Sequence, residues 1–530
     1  MKNQGLAGFS TLLRVTLKQD ARNIAPWIVL ITALSVSSVL AYDWIFPDHA
    51  TRASLAATVG ANPAFSLIFG PAHNLLTADG FNAWRALALG GFFAALMAIL
   101  IVVRHSRADE DSGQAELIAS AVVGRYTRLM VAVALVALAS VALGIFCSIM
   151  TIAFGGNVAA SITLSATFTA SGLMFAGLAA ITAQLGSDAR SATSLSVTVL
   201  GACFLLRGAL DASGHTDWVW LSPLGWTQEV RPASENNWWP LLACLGLAIL
   251  LVMIAHLLQA RRDFGMGIIP PTPGPARGGV VANVWGLALR LNLGSVISWT
   301  IAFAVLGMVF GFVASSLGDV FASNPDIAHI IAVGGATSAG LVYLFLLTLL
   351  KVMGMIAAVY GVQVVMRIPA EENEYRVEPL LAGALSRQKY LASNALIALL
   401  GPAVALVIGG VAIGFVATAS GVDVTVSDLA KQALVVIPAV WVLIGLSLAL
   451  VGANPRVRLV AWLAIVATFV LTILGPTFRL WDWVLSISPL YHVPNVTATT
   501  PDYTGLTVVA VIAVAFIGVG FVGFRRRDVL

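Results

Sequence analysis

Two stretches of this chain set clustered charge between long apolar runs. One reads Arg104-His105-Ser106-Arg107-Ala108-Asp109-Glu110-Asp111-Ser112-Gly113-Gln114-Ala115-Glu116-Leu117-Ile118-Ala119. The other reads Arg367-Ile368-Pro369-Ala370-Glu371-Glu372-Asn373-Glu374-Tyr375-Arg376-Val377-Glu378-Pro379-Leu380-Leu381-Ala382. In each, carboxylates precede a segment able to form a short helix, and an arginine, Arg125 or Arg387, follows it. Acids in a first turn and a cation beyond the last complement the helix dipole. Such a helix can dock a partner, with Leu117, Ile118, Leu380 and Leu381 supplying burial and Glu110, Glu116, Glu372 and Glu378 supplying ionic edges. The plainer reading is a pair of solvated loops whose charges follow membrane topology. Two copies at one spacing favour docking.

Other chemistries are poorly represented. No G-x-x-x-x-G-K-[ST] phosphate loop occurs, so the chain by itself is not expected to hydrolyse ATP. Asp48, Asp79, Asp217, Glu229 and Asp482 show no catalytic spacing, which ranks a membrane enzyme lowest. Cys147, Cys203 and Cys244 fall inside apolar runs with neither metal nor disulfide spacing, and read as small core hydrophobes. No carboxylate lies deep in an apolar run, which counts against a proton-coupled carrier, the main alternative. His256 reads as interfacial rather than as a relay. Lys351 is the most unusual charge: its stem can snorkel, or its ammonium can line a pathway, and both readings stand. Arg207, near the end of its run, reads as snorkelling.

The elements that position these residues are membrane helices. The 530 residues are 59% hydrophobic and 10% charged, with a mean hydropathy of +0.92, against about 25% charged in a soluble domain. Runs of roughly 20 apolar residues give about twelve spans. They lie near 24–45, 83–103, 129–153, 160–184, 191–210, 240–259, 295–316, 341–365, 391–417, 433–451, 459–476 and 505–524. Continuous rather than alternating hydrophobicity excludes a barrel, and the expected fold is an all-α polytopic membrane protein. Arginines concentrate on one side, while the other keeps Arg52, Arg231, Lys431 and Arg479. This positive-inside bias puts both termini in the cytoplasm of a multi-pass cell-membrane protein, and makes the basic pI of about 9.1 a matter of topology, with no nucleic-acid partner implied.

The chain repeats itself. Asn62-Pro63 recurs as Asn324-Pro325, and Glu110, Glu116 and Arg125 recur as Glu372, Glu378 and Arg387, all shifted by 262 positions. Ser222-Pro223-Leu224 recurs as Ser488-Pro489-Leu490 at 266, and Arg261-Arg262-Asp263 as Arg526-Arg527-Asp528 at 265. Six spans per half leave both halves in the same orientation, as parallel six-helix repeats. The expected division is 1–264, a Pro/Gly linker over 265–283, and 284–530. Each half opens on an amphipathic segment suited to the membrane interface: Leu6, Phe9, Leu13 and Leu17 against Arg14, Lys18 and Arg22, then Trp285, Leu289 and Leu293 against Arg290 and Asn292. Gly307 with Gly311, and Gly410 with Gly414, permit close helix packing. The aromatic loops 46–82 and 211–239 are expected to form an outer lid or an aromatic anchor.

The pattern Glu110…Gly113…Glu116-Leu117…Arg125 resembles the coupling-helix loop of ABC-2-type permeases, with Glu372…Glu378…Arg387 as a second copy in which Tyr375 replaces the expected glycine. The fused halves and Ser222-Pro223-Leu224-Gly225-Trp226 are similar to the actinobacterial exporters of polyketide antibiotics, the tetronasin-type permeases. The resemblance implies a complete transmembrane unit served by two copies of a soluble nucleotide-binding ATPase, which would hold ATP and magnesium while this chain binds no cofactor or metal. It also implies export of hydrophobic drugs, antibiotics or lipid-like compounds, with membrane lipids around the chain. Glu110, Glu116, Leu117, Arg125, Glu372, Glu378, Leu380 and Arg387 would then form the docking loops. Spans two, five, eight and eleven would line a pathway walled by Phe92, Phe93, Met97, Phe204, Lys351, Met353, Tyr360 and Phe469. Pro223, Trp226 and Pro489 would belong to the outer lid.

Overall fold

A bilayer offers no water to backbone N–H and C=O groups, so continuous apolar runs must satisfy them internally as helices. The computed structural model describes residues 4–58, 63–263, 265–270, 283–323, 338–474, 481–498 and 500–527, and among these the regular structure is all helical. It divides into two compact units, Met1–Gly274 and Pro275–Leu530. The first contains α1 (Phe9–Ile45), α2 (Ala78–Val103), α3 (Thr127–Ala153), α4 (Val158–Leu185), α5 (Ala189–Ala212) and α6 (Trp239–Arg261). The second contains α7 (Val284–Ser323), α8 (Ser338–Asn373), α9 (Arg387–Ala419), α10 (Val426–Ala453), α11 (Val460–Phe469) and α12 (Thr504–Arg526).

Eleven helices among the described residues are long and apolar enough to cross a membrane, against about twelve expected. The difference is α11. Its ten α-helical residues, about 15 Å at 1.5 Å per residue, pass into a π turn over Val470–Leu474. The end of the expected span at 475–476 lies outside the described residues, as do Asn62, Asn324, Pro325, Arg479, Asp528 and linker residues 271–282.

Each unit is organised round its fourth helix. In the first, α4 packs on α2, α3, α5 and α6, while α1 packs on α2 and α3. In the second, α10 packs on α8, α9, α11 and α12, while α7 packs on α8 and α9. Small residues allow the approach. A methyl group on Gly307 would strike the Gly409 carbonyl oxygen, and one on Gly311 would lie 2.7 Å from that of Ile413, so α7 and α9 meet backbone to backbone.

Two expectations need correction. The amphipathic openings are not separate interfacial helices, because α1 and α7 carry them, apart from Leu6 in a preceding 3-10 turn, into unbroken helices of 37 and 40 residues. Pro26, inside α1 where its apolar run begins, removes one ladder donor there. Tertiary bonds hold the start of α1: Gly124 and Tyr126 donate N–H to the carbonyls of Ala7 and Gly5, and buried Asp20 meets His105 at 2.9 Å and Arg104 at 3.2 Å. The beginning of the linker is likewise docked rather than free. Ile268 and Ile269 donate N–H to the carbonyls of Gln184 and Leu185, both at 3.0 Å, satisfying groups that the end of α4 leaves open.

Candidate functional site

The first charged loop leaves α2 through a π turn, Arg104–Ala108, followed by the short turn Asp109–Asp111. Gly113, at φ 75°, then reverses the chain into a helix over Gln114–Ala119. Such a φ belongs to the left-handed region that glycine enters without steric cost. The Glu110 side chain points inward, 6% exposed. Its two oxygens lie 2.6 and 2.9 Å from the Arg262 guanidinium, and Arg107 and Arg128 approach it at 2.7 and 3.4 Å. The fully buried Arg107 side chain also donates to the carbonyls of Ser187 and Met266. Asp111 accepts the Ala189 N–H at 2.6 Å, at the start of α5. Arg125 donates to the Gln259, Ala260 and Arg262 carbonyls where α6 ends. One carboxylate therefore gathers the ends of α2, α3 and α6.

The second loop repeats the device with fewer parts. Glu372, at the end of α8, accepts from Nη2 of Arg527 with both carboxylate oxygens, at 2.6 and 2.8 Å, and Arg387 donates to the Arg527 carbonyl at 2.7 Å. The Tyr390 hydroxyl donates to Glu371 at 2.8 Å. Tyr375 occupies the position of Gly113 and holds the same left-handed backbone, φ 57°. A short helix, Glu378–Leu381, follows.

The expected docking residues thus separate into two groups. Glu110 and Glu372 are committed to internal arginines rather than presented outward, because a buried carboxylate needs a cation and hydrogen bonds. Arg125 caps the carbonyls that end α6, and Arg387 caps a carbonyl just beyond α12. Glu116, Leu117 (76% exposed) and Glu378 face outward, as does Val122 beside them, while Leu380 packs on its own unit's core. Arg262 and Arg527 were not among the expected site residues. The signal was present in two separate repeats, at 262 positions for the glutamates and 265 for the arginines, whose pairing needs the fold.

The expected wall residues also divide. The Phe92 and Phe204 rings meet edge to face at 5.2 Å, with Phe93 5.9 Å from Phe92 and all three partly exposed. Phe469 is exposed, and half-buried Lys351 has no carboxylate within ion-pair distance among the described residues. Met97, Met353 and Tyr360 are instead completely buried in the core of their own unit. Met353 packs against Gly409, and Tyr360 stacks on Trp299 at 5.4 Å with its hydroxyl beside Gly401. Helical spacing alone does not distinguish a core face from a pathway face.

At the other end of the first unit, Arg207 does not snorkel: its side chain is 1% exposed. It donates to the Leu67 and Ile68 carbonyls, near the end of the helix Pro63–Phe69, at 3.2 and 2.9 Å. Asp211 lies 3.5 Å away and the guanidinium sits 4.7 Å over the Phe204 ring. Both Ser-Pro-Leu segments are tied to the fifth helix region of their own unit. Ser222 donates to the Cys203 carbonyl at 2.7 Å, Pro223 opens a helix through Gln228, and the Trp226 indole donates to the Trp220 carbonyl. Ser488 and Thr472 share a hydroxyl hydrogen bond at 2.8 Å, Pro489 opens a turn through His492, and Leu490 is buried.

A family model described as the multidrug efflux system permease Rv1217c, C-terminal domain, matches two stretches of the chain, residues 50–258 and 281–525. The multidrug efflux system permease protein Rv1217c of Mycobacterium tuberculosis (strain ATCC 25618 / H37Rv) is 37% identical over 540 residues. The alignment covers 100% of this chain and 96% of that protein.

Proposed function

The chain belongs to the Rv1217c family of multidrug efflux system permeases, and we propose from this that it is the transmembrane subunit of an ATP-binding cassette exporter. It would move hydrophobic or amphiphilic compounds outward by alternating access. Two copies of a soluble nucleotide-binding ATPase would drive it, holding ATP and magnesium themselves. The arginine-rich end of each unit would face the cytosol, with both termini there. The narrower resemblance to polyketide-antibiotic exporters points to hydrophobic antibiotics among that cargo.

The observation that supports this most is the duplicated clasp. Glu110 with Arg262, and Glu372 with Arg527, fasten a short exposed segment to the end of its unit's sixth helix. A push on Glu116, Leu117 and Val122, or on Glu378, would then move helices rather than deform a loop. Buried ion pairs resist separation because each partner would be left charged without compensation. The half-exposed aromatic cluster of Phe92, Phe93 and Phe204 suits apolar cargo.

The test is Glu116→Lys with Glu378→Lys, two exposed charge reversals, in permease assembled with its ATPase. Loss of drug-stimulated ATP hydrolysis and of efflux, with the permease still folded, is expected. Unchanged coupling would remove the docking role. Drug movement by permease alone, down an imposed pH gradient, would replace the whole reading with a secondary antiporter.

A further inference from the structure

The repeat allows the arginine-rich ends of the two units to be compared residue by residue. Glu372 matches Glu110 and Arg527 matches Arg262; Glu110 also has Arg107 and Arg128 beside it, where the second unit has Pro369 and Tyr390. Around them the charge differs. Asp111 is replaced by Asn373 at a shift of 262, and Asp188 by Asn454 at 266. Arg190 is retained as Arg456, while Ala192 becomes Arg458. Asp188 caps α5 by accepting the Ser191 N–H at 2.7 Å, and Asn454 does the same work ahead of α11 by accepting that of Arg456 at 3.2 Å. The capping chemistry survives while the negative charge is gone.

These exchanges surround a cavity of about 530 Å³, lined by Asn373, Asn454, Arg456, Arg458, Leu459 and Arg527. Among the described residues neither Arg456 nor Arg458 has a carboxylate within ion-pair distance. The buried Nε of Arg527 has no hydrogen-bond partner there either. Guanidinium donors flanked by amide side chains suit the oxygens of a phosphate group. Beside the cavity, Leu459, Leu463 and Val466 are 68%, 66% and 57% exposed. Their spacing of four and three residues puts them on one side of α11, in line for acyl chains.

We propose that this cavity binds the phosphate headgroup of an anionic phospholipid, with its chains laid along that face of α11. The corresponding place in the first unit, carrying Asp111 and Asp188, does not. The asymmetry would give the second unit a lipid contact at its arginine-rich end that the first unit lacks.

The test uses the full-length permease in detergent, titrated with phosphatidylglycerol or phosphatidylcholine, with retained lipid counted by native mass spectrometry. Wild type is expected to retain phosphatidylglycerol in preference. At roughly fivefold per basic side chain, Arg456→Gln with Arg458→Gln is expected to weaken retention about twenty-five-fold. Asn373→Asp with Asn454→Asp, which restores the first unit's acids without adding bulk, should weaken it as well, and Arg190→Gln should leave it unchanged. Equal retention of both lipids, no loss in either double variant, or an equal loss in Arg190→Gln would overturn the proposal. Displacement by inorganic phosphate at matched concentration would leave a free-anion site in place of a lipid site. Loss of ATPase co-purification in the arginine variant, with lipid retention unchanged, would assign the surface to a protein partner.

Discussion

Arg527→Met is the perturbation that most directly tests the clasp. The Glu372 side chain is 7% exposed and that of Arg527 13%, joined by two short hydrogen bonds. Removing the guanidinium while keeping apolar bulk leaves the carboxylate buried without its cation, a loss of about 3–5 kcal/mol. Arg262→Met is the matched change in the first unit, but Glu110 still has Arg107 at 2.7 Å and Arg128 at 3.4 Å. The opening of its own loop should therefore approach the loss of the charged hydrogen bonds to Glu110 alone, about 2 kcal/mol. The other bonds that Arg262 gives up, to Gln184 Oε1 and the Met266 carbonyl, both at 2.7 Å, hold the end of α4 and the start of the linker. Neither change touches the carbonyls that Arg387 and Arg125 cap, because those belong to the main chain. Hydrogen exchange over 372–390 in one variant and 106–125 in the other reads local opening directly. A difference of about 2 kcal/mol is roughly thirtyfold in the opening equilibrium. Glu372→Gln combined with Arg527→Met should recover most of the loss, since a neutral pair leaves no buried charge. Equal opening in the two single variants, or strict additivity in the double, would refute the reasoning.

Two further changes test local conformation and core placement. Tyr375→Gly relieves a left-handed backbone that costs an L-residue about 1–2 kcal/mol, partly offset by about 0.5–1 kcal/mol of unfolded-chain freedom. Exchange protection of 374–382 should therefore rise by about 1 kcal/mol, and Gly113→Tyr should lower that of 112–120 similarly, since an added Cβ there meets nothing. Tyr360→Phe removes a buried hydroxyl that has no hydrogen-bond partner among the described residues. Thermal stability in detergent should rise by about 1 kcal/mol with the drug profile unchanged, whereas an altered profile would return Tyr360 to a pathway wall.

The transmembrane architecture was legible in the sequence because hydropathy is local: a run of about 20 apolar residues in a bilayer has few alternatives to a helix. The repeats likewise identified both charged loops, both Ser-Pro-Leu segments and the short helices beginning near Gln114 and Glu378. Tyr375 shows how far that reading goes, because it keeps the backbone of Gly113 although the residue type argues against it. What the sequence could not assign was partnership. Glu110 and Arg262 are 152 residues apart, and Glu372 and Arg527 155; nothing between them records that α2 and α6, or α8 and α12, end side by side. The same holds for Arg207, which is buried under helix Pro63–Phe69 rather than reaching for water, and for Met97, Met353 and Tyr360, whose core placement depends on which helix face meets a neighbour. A helix follows from its own residues and its solvent, but the environment of one side chain follows from what distant segments bring to it, and only tertiary packing decides that.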